Sequence, residues 1–108
     1  MRAEREFTAA DQFLDFLVDQ GEAEDLTVQV IGAMTGSIEV RGSADGVTFV
    51  ALLVRDATAG TTAAEITSAG IYELVHSLAG FEVVRVYAAA LSSGTPTVVA
   101  RTARAAVS

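Results

Sequence analysis

Cysteine, tryptophan and lysine are absent from this chain, and histidine and proline each occur once. Without cysteine there is no disulfide, no thiolate metal site and no cysteine nucleophile. The single histidine, His76, leaves zinc and copper short of ligands and makes any catalytic triad depend on one residue. Its sequence neighbour Ser77 would point to the opposite face of a strand, so the two could not share a proton. Aromatic rings are few, with Tyr72 and Tyr87 as the only tyrosines, which argues against a stacking groove for sugars. The glycines stand singly at turn positions, so no phosphate-cradling loop is present. These absences point away from an enzyme, and no cofactor or metal is expected. The N-terminus Met1-Arg2-Ala3-Glu4-Arg5-Glu6 is charged, with no apolar stretch behind it to serve as a signal peptide. The run Val86 to Leu91 is far too short to span a bilayer. A soluble protein made in a cytoplasm is expected.

What is present is apolar and acidic. About half of the 108 residues are apolar, enough for one globular domain, but much of that share is alanine and a thin core is expected. The net charge of −7 is unevenly placed. Residues 1 to 25 hold eight acids against Arg2 and Arg5, leaving −6, and the rest of the chain holds six acids against five arginines, leaving −1. Such a balance disfavours nucleic acid and anionic membranes as partners. The use of arginine alone among long cations suits packed interfaces, and a GC-rich genome produces the same bias.

From Leu26 onward the hydrophobic period is two. Leu26, Val28 and Val30 share one face. Ile38 and Val40 point inward while Ser37, Glu39 and Arg41 point to solvent. Ser43-Ala44-Asp45-Gly46 is a turn signal, and Val47 to Val54, apolar on both faces, reads as a central strand. Ala63 to Thr67 is a short extended piece, and Ile71 to Val75 another strand. Phe81 to Leu91 is the longest candidate, with Val84, Val86 and Ala88 on one face and Arg85 among apolar neighbours on the other. An ion pair of Arg85 with an acid such as Glu39 or Glu73, or a contact with another subunit, would account for it. Thr95 to Thr102 forms a last strand, and Pro96 near its start argues for an edge position. Short alternating strands with turns between them predict an all-β, antiparallel two-sheet sandwich, jelly-roll-like in form.

Residues 8 to 20 fit two patterns. Thr8 to Asp11 could cap a helix that carries Phe13, Phe16 and Leu17 on one face and aligns Asp11, Asp15 and Asp19. As a strand the segment would place Leu14, Phe16 and Val18 inside. The three aspartates have a binding reading (Ca²⁺ or a basic partner) and a plain reading as a solvated face. No calcium-loop pattern supports the first.

Three segments carry a resemblance. Gly36-Ser37-Ile38-Glu39-Val40-Arg41-Gly42-Ser43-Ala44-Asp45-Gly46-Val47-Thr48-Phe49 resembles the G-T-V-T-V-E-G-S-x-D-G-x-T-W segment of many tailed-phage structural proteins. Thr67-Ser68-Ala69-Gly70-Ile71-Tyr72 is similar to their T-x-N-G-x-Y turn. Phe81 to Tyr87, with Arg85, followed by Ser92-Ser93-Gly94-Thr95-Pro96-Thr97-Val98, resembles their (Y/F)-V-R-V ending and S-G-x-x-T-V tail. Phe49 stands where tryptophan is common, and Ala69 where asparagine is.

The resemblance covers about residues 26 to 102 and implies a β-sandwich building block of virions. It favours the strand reading of residues 8 to 20. It leaves capsid and tail or fibre positions both open; the short length and alanine-rich sandwich favour a capsid decoration (cement) protein that binds the major capsid protein, and the repeated positions of a particle lead to an expected homo-oligomer. The alternative is a tail, fibre or spike module that recognises a host receptor or carbohydrate. On this reading residues 1–25 form an acidic arm or edge segment, 26–103 the sandwich and 104–108 a loose tail. Arg5, Phe7, Asp11, Phe13, Asp15 and Asp19 are then the candidate partner contacts, with the arm adding to a neighbour's sheet. Gly36, Ser43, Asp45, Gly46, Phe49, Gly70, Tyr72, Arg85, Ser93 and Gly94 are the structural motif positions.

Overall fold

The computed structural model describes residues 2–17, 25–76, 78 and 80–103. Among them are ten strands and no helix: β1 (Arg2–Glu6), β2 (Phe13–Leu17), β3 (Asp25–Ile31), β4 (Thr35–Ser43), β5 (Val50–Leu52), β6 (Val54–Asp56), β7 (Thr62–Ala63), β8 (Gly70–Leu74), β9 (Val83–Ser93) and β10 (Thr97–Ala103). They form a six-stranded sheet in the order β1-β10-β3-β8-β6-β7 and a four-stranded sheet in the order β2-β9-β4-β5. All pairings are antiparallel. If the β6–β7 hairpin is set aside, the remaining eight strands divide between two sheets in jelly-roll order. The expected all-β, two-sheet sandwich is therefore the observed fold.

The core lies where the two inner faces meet. Leu26, Val28 and Val30 from β3 face Ile38 and Val40 from β4, with Val84, Val86 and Ala88 from β9 and Val98 and Ala100 from β10 completing it. Period-two alternation put these side chains on one face of each strand, and burying each large aliphatic one contributes about 1.5–3 kcal/mol. Ile66 closes the gap between the layers: it follows β7 of the six-stranded sheet yet exchanges two backbone hydrogen bonds with Ile38 of the four-stranded one (2.7 and 2.8 Å).

Three expectations change. Val47 to Val54 is not a central strand. The chain leaves the edge strand β5 at Leu53 and re-enters the other sheet as β6, and Val47 and Val50 are exposed. A run apolar on both faces here marks a crossing between sheets. Pro96 does not mark an edge either, because β10 lies between β1 and β3. The proline sits just before the strand, where no ladder donor is required, and its carbonyl accepts from Phe7 N–H (2.9 Å). Residues 2–17, finally, are not an arm detached from the sandwich. β1 pairs with β10 and β2 with β9 of the same chain. Each forms an edge of one sheet, and Phe7 between them is completely buried in the core. Phe7 is thus a packing residue and unavailable to a partner.

Candidate interaction face

The outer face of the four-stranded sheet gathers most of the charged and aromatic residues picked out from sequence. Strand alternation directs Phe13 and Asp15 of β2, Arg85 and Tyr87 of β9, and Glu39 and Arg41 of β4 to this side. The register then sets Phe13 opposite Tyr87, Asp15 opposite Arg85, Glu39 opposite Tyr87 and Arg41 opposite Arg85.

Arg85 is the centre. Its Nε and Nη2 donate to the two carboxylate oxygens of Asp15 at 2.7 and 2.9 Å, the bidentate geometry that a planar guanidinium favours. Its partner is therefore Asp15, not Glu39 or Glu73, which pair instead with Arg41 and Arg55. The guanidinium also lies over two rings, 4.1 Å from the centroid of Phe13 and 4.2 Å from that of Phe49. The Asp15 hydrogen bonds raise the Arg85 pKa above its already high ordinary value.

Phe49 reaches this position because of the turn before it. Asp45 Oδ1 accepts from the Ser43 hydroxyl (2.9 Å) and from the backbone N–H groups of Val47 and Thr48 (both 2.8 Å). The Ser43 Oγ in turn accepts from Gly46 N–H (2.9 Å). Gly46 has a φ of +78°, open to glycine at no steric cost. The backbone donors, Thr48 first, lower the Asp45 pKa to about 2.

Beside Arg85, Arg41 stacks on Tyr87 at 4.3 Å and donates through Nε to Glu39 at 2.7 Å. Two arginines directly opposite each other would repel, but each has its own acid and its own ring. The Tyr87 hydroxyl donates to the Asp11 carboxylate, and that bond raises the tyrosine pKa. Asp11 holds a left-handed backbone, φ +67°, in the turn that ends before β2, so the helical reading of residues 8 to 20 does not hold over the described part. Arg5 donates to the Phe13 carbonyl. With Arg5 reaching the edge of β2 from the other sheet, three arginines (5, 41, 85) balance three acids (11, 15, 39) among these residues, on a chain of net charge −7. It is a pre-ordered patch of arginine and aromatic side chains, the residue types enriched where proteins contact one another.

The other motif positions are structural. Gly36, Ser93 and Gly94 lie at the opposite end of the sandwich, where Thr35 pairs with Ser93 and where a Cβ at Gly36 or Gly94 would strike the Ala90 or Ala33 carbonyl. Gly70 opens β8, and Tyr72 is buried with its hydroxyl donating to the Ser68 carbonyl (2.8 Å). Asp19 lies outside the described residues. His76 is exposed, and no metal-ligand cluster exists among the described residues. The sequence reading passed over Tyr87, Arg41 and Glu39 as site members. Their signal was the i, i+2 spacing of Glu39 with Arg41 and of Arg85 with Tyr87, which puts each pair on one face of a strand.

No protein-family model matches the chain, and no curated protein matches it. Among solved structures, the crystal structure of the SPBc2 prophage-derived protein YomS superposes with a TM-score of 0.71 at 20% sequence identity, covering 96% of each chain. At that identity the likeness establishes a shared fold, spanning nearly the whole of both proteins.

Proposed function

We propose that this chain is a structural protein of a bacteriophage particle, acting by binding and not by catalysis, and that its role is capsid decoration: attachment to the major capsid lattice. The observation that carries the first step is the fold it shares, over 96% of both chains, with a prophage-derived protein. The three phage-like motif segments support it. So does the architecture, since jelly rolls serve viral capsids. The decoration role draws its support from the outer face of the four-stranded sheet. Arg85, Phe13, Phe49 and Tyr87 are the residue types that anchor protein interfaces, and the central guanidiniums of Arg85 and Arg41 already carry their own acids, Asp15 and Glu39, so docking over them leaves neither unpaired.

The test is co-sedimentation of the purified chain with undecorated heads and, separately, with free tails of the particle whose genome encodes it. Saturable binding to heads, weakened by Phe49→Ala in a variant that keeps its fold, is the expected result. Binding to tails alone would replace decoration by the tail or fibre role, and binding to neither would reject a particle role.

A further inference from the structure

The outer face of the six-stranded sheet carries charges that one copy of the chain cannot satisfy. Alternation along β1 sends Arg2, Glu4 and Glu6 to this side. Register sets Arg2 directly opposite Arg101, and Glu4 lies 3.8 Å from Arg2. Among the described residues Arg101 has no ionic partner, and neither has Glu6. Arg2 and Glu6 are four residues apart on a strand, about 13 Å, too far to meet within one chain. Beside Arg2 and Arg101 lies a depression of about 420 Å³ of mixed lining, in which Glu4, Thr27 and Gln29 stand among apolar side chains. Val99 is largely covered in it, and Ile31 and Ile71 stand 48% and 44% exposed. The free edge of β1, Arg-Ala-Glu-Arg-Glu, is too charged to pair readily with another strand, which leaves the face and not the edge for association.

We propose that this face binds a second copy of the chain. The two-fold axis runs across the strands in the plane of the interface, so that Arg2 of each copy, with Arg101 beside it, meets Glu6 of the other. A positive end and a negative end on one face become complementary only under such a rotation; the row of Glu4, Val99 and Ile71 then lies on the axis, and the two Glu4 carboxylates that meet there each keep their own Arg2 at 3.8 Å. The contact is isologous and closed. Five strands at about 4.8 Å and five residues at about 3.3 Å give a flat area of about 400 Å² per copy. That is the low end for specific contacts, so the dimer is weak and sensitive to salt. The proposal holds whether or not the chain belongs to a phage particle, because it concerns the opposite face from the one assigned to the capsid.

Sedimentation equilibrium of the full chain tests it, with Arg2→Glu, Glu6→Arg and the double variant, which keeps the net charge. At low salt the wild-type mass should rise with concentration from 11.2 kDa towards twice that value. Each single reversal should weaken association about tenfold and the double variant should recover it, with circular dichroism showing all four folded. Because Glu4 lies between positions 2 and 6 and pairs with Arg2, the same reversals are repeated on a Glu4→Gln background, where rescue by the double variant must persist. A wild type that stays monomeric throughout, or a double variant no better than the singles, overturns the proposal.

Discussion

Arg85 and Asp15, seventy residues apart in sequence, face each other across β9 and β2 and share two hydrogen bonds of 2.7 and 2.9 Å. Both side chains are about three-quarters to two-thirds covered (25% and 32% exposed), and Phe13 and Phe49 shield the guanidinium on its two faces. An exposed ion pair contributes little, but a bidentate pair held in place by rings contributes more. Asp15→Ala should cost about 1–2 kcal/mol and lower the melting temperature by about 5–10 °C. Thermal unfolding measures it, and a double-mutant cycle with Arg85→Ala should show coupling between the two sites.

Phe7 separates a core role from an arm role. It is fully buried, so Phe7→Ala should cost about 3–5 kcal/mol in chemical denaturation. Phe13→Ala, on the surface at 40% exposure, should cost about 1 kcal/mol, the scale of one cation–π contact. Equal small effects at both positions would contradict the packing described.

How far the sequence foretold this depends on whether the information was local. Leu26-Thr27-Val28-Gln29-Val30 alternates, and half-burial is all that pattern needs, so its inner face was legible. Val47 to Val54 was not: the crossing at Leu53 is set by the partners on either side, which the run itself does not encode. Phe7 follows five residues of which four are charged, and nothing near it signals that β1 and β2 close over it. Of the candidate face, Arg85 and Asp15 were each conspicuous alone. Their pairing depends on a register across seventy residues, which composition cannot show. The Ser43–Gly46 turn was legible because its chemistry is contained in six consecutive residues, 43 to 48.

The Asp45 carboxylate should give the fold an acid limit. Its pKa is lowered from 3.8 to about 2 by N–H donors that exist only in the folded turn. A depressed folded value means the carboxylate stabilises the fold fully above pH 3.8 and ceases to as pH falls through about 2. Urea midpoints for the wild type and Asp45→Asn should therefore differ by a constant amount at neutral pH and converge between pH 3.8 and about 2. A difference independent of pH over that range would contradict the turn geometry.

Gly94 and Gly60 both hold left-handed backbones, φ +89° and +76°, but differ in what surrounds them. A Cβ at Gly94 would run into the Ala33 carbonyl and the Met34 Cα, whereas at Gly60 nothing lies within 4 Å. Gly60→Ala should cost only the backbone strain, about 1–2 kcal/mol. Gly94→Ala must also move the 33–34 turn and should cost at least about 3 kcal/mol. Paired urea denaturation curves decide it, and equal losses would place the two loops apart.

The central claim is that this chain is a stoichiometric part of a virion, and counting it there tests that most directly. Quantitative mass spectrometry of purified particles, with the major capsid protein as internal standard, should find it in a fixed ratio that persists through density-gradient purification. Its absence from purified particles, with the chain abundant in the infected cell, would contradict the account.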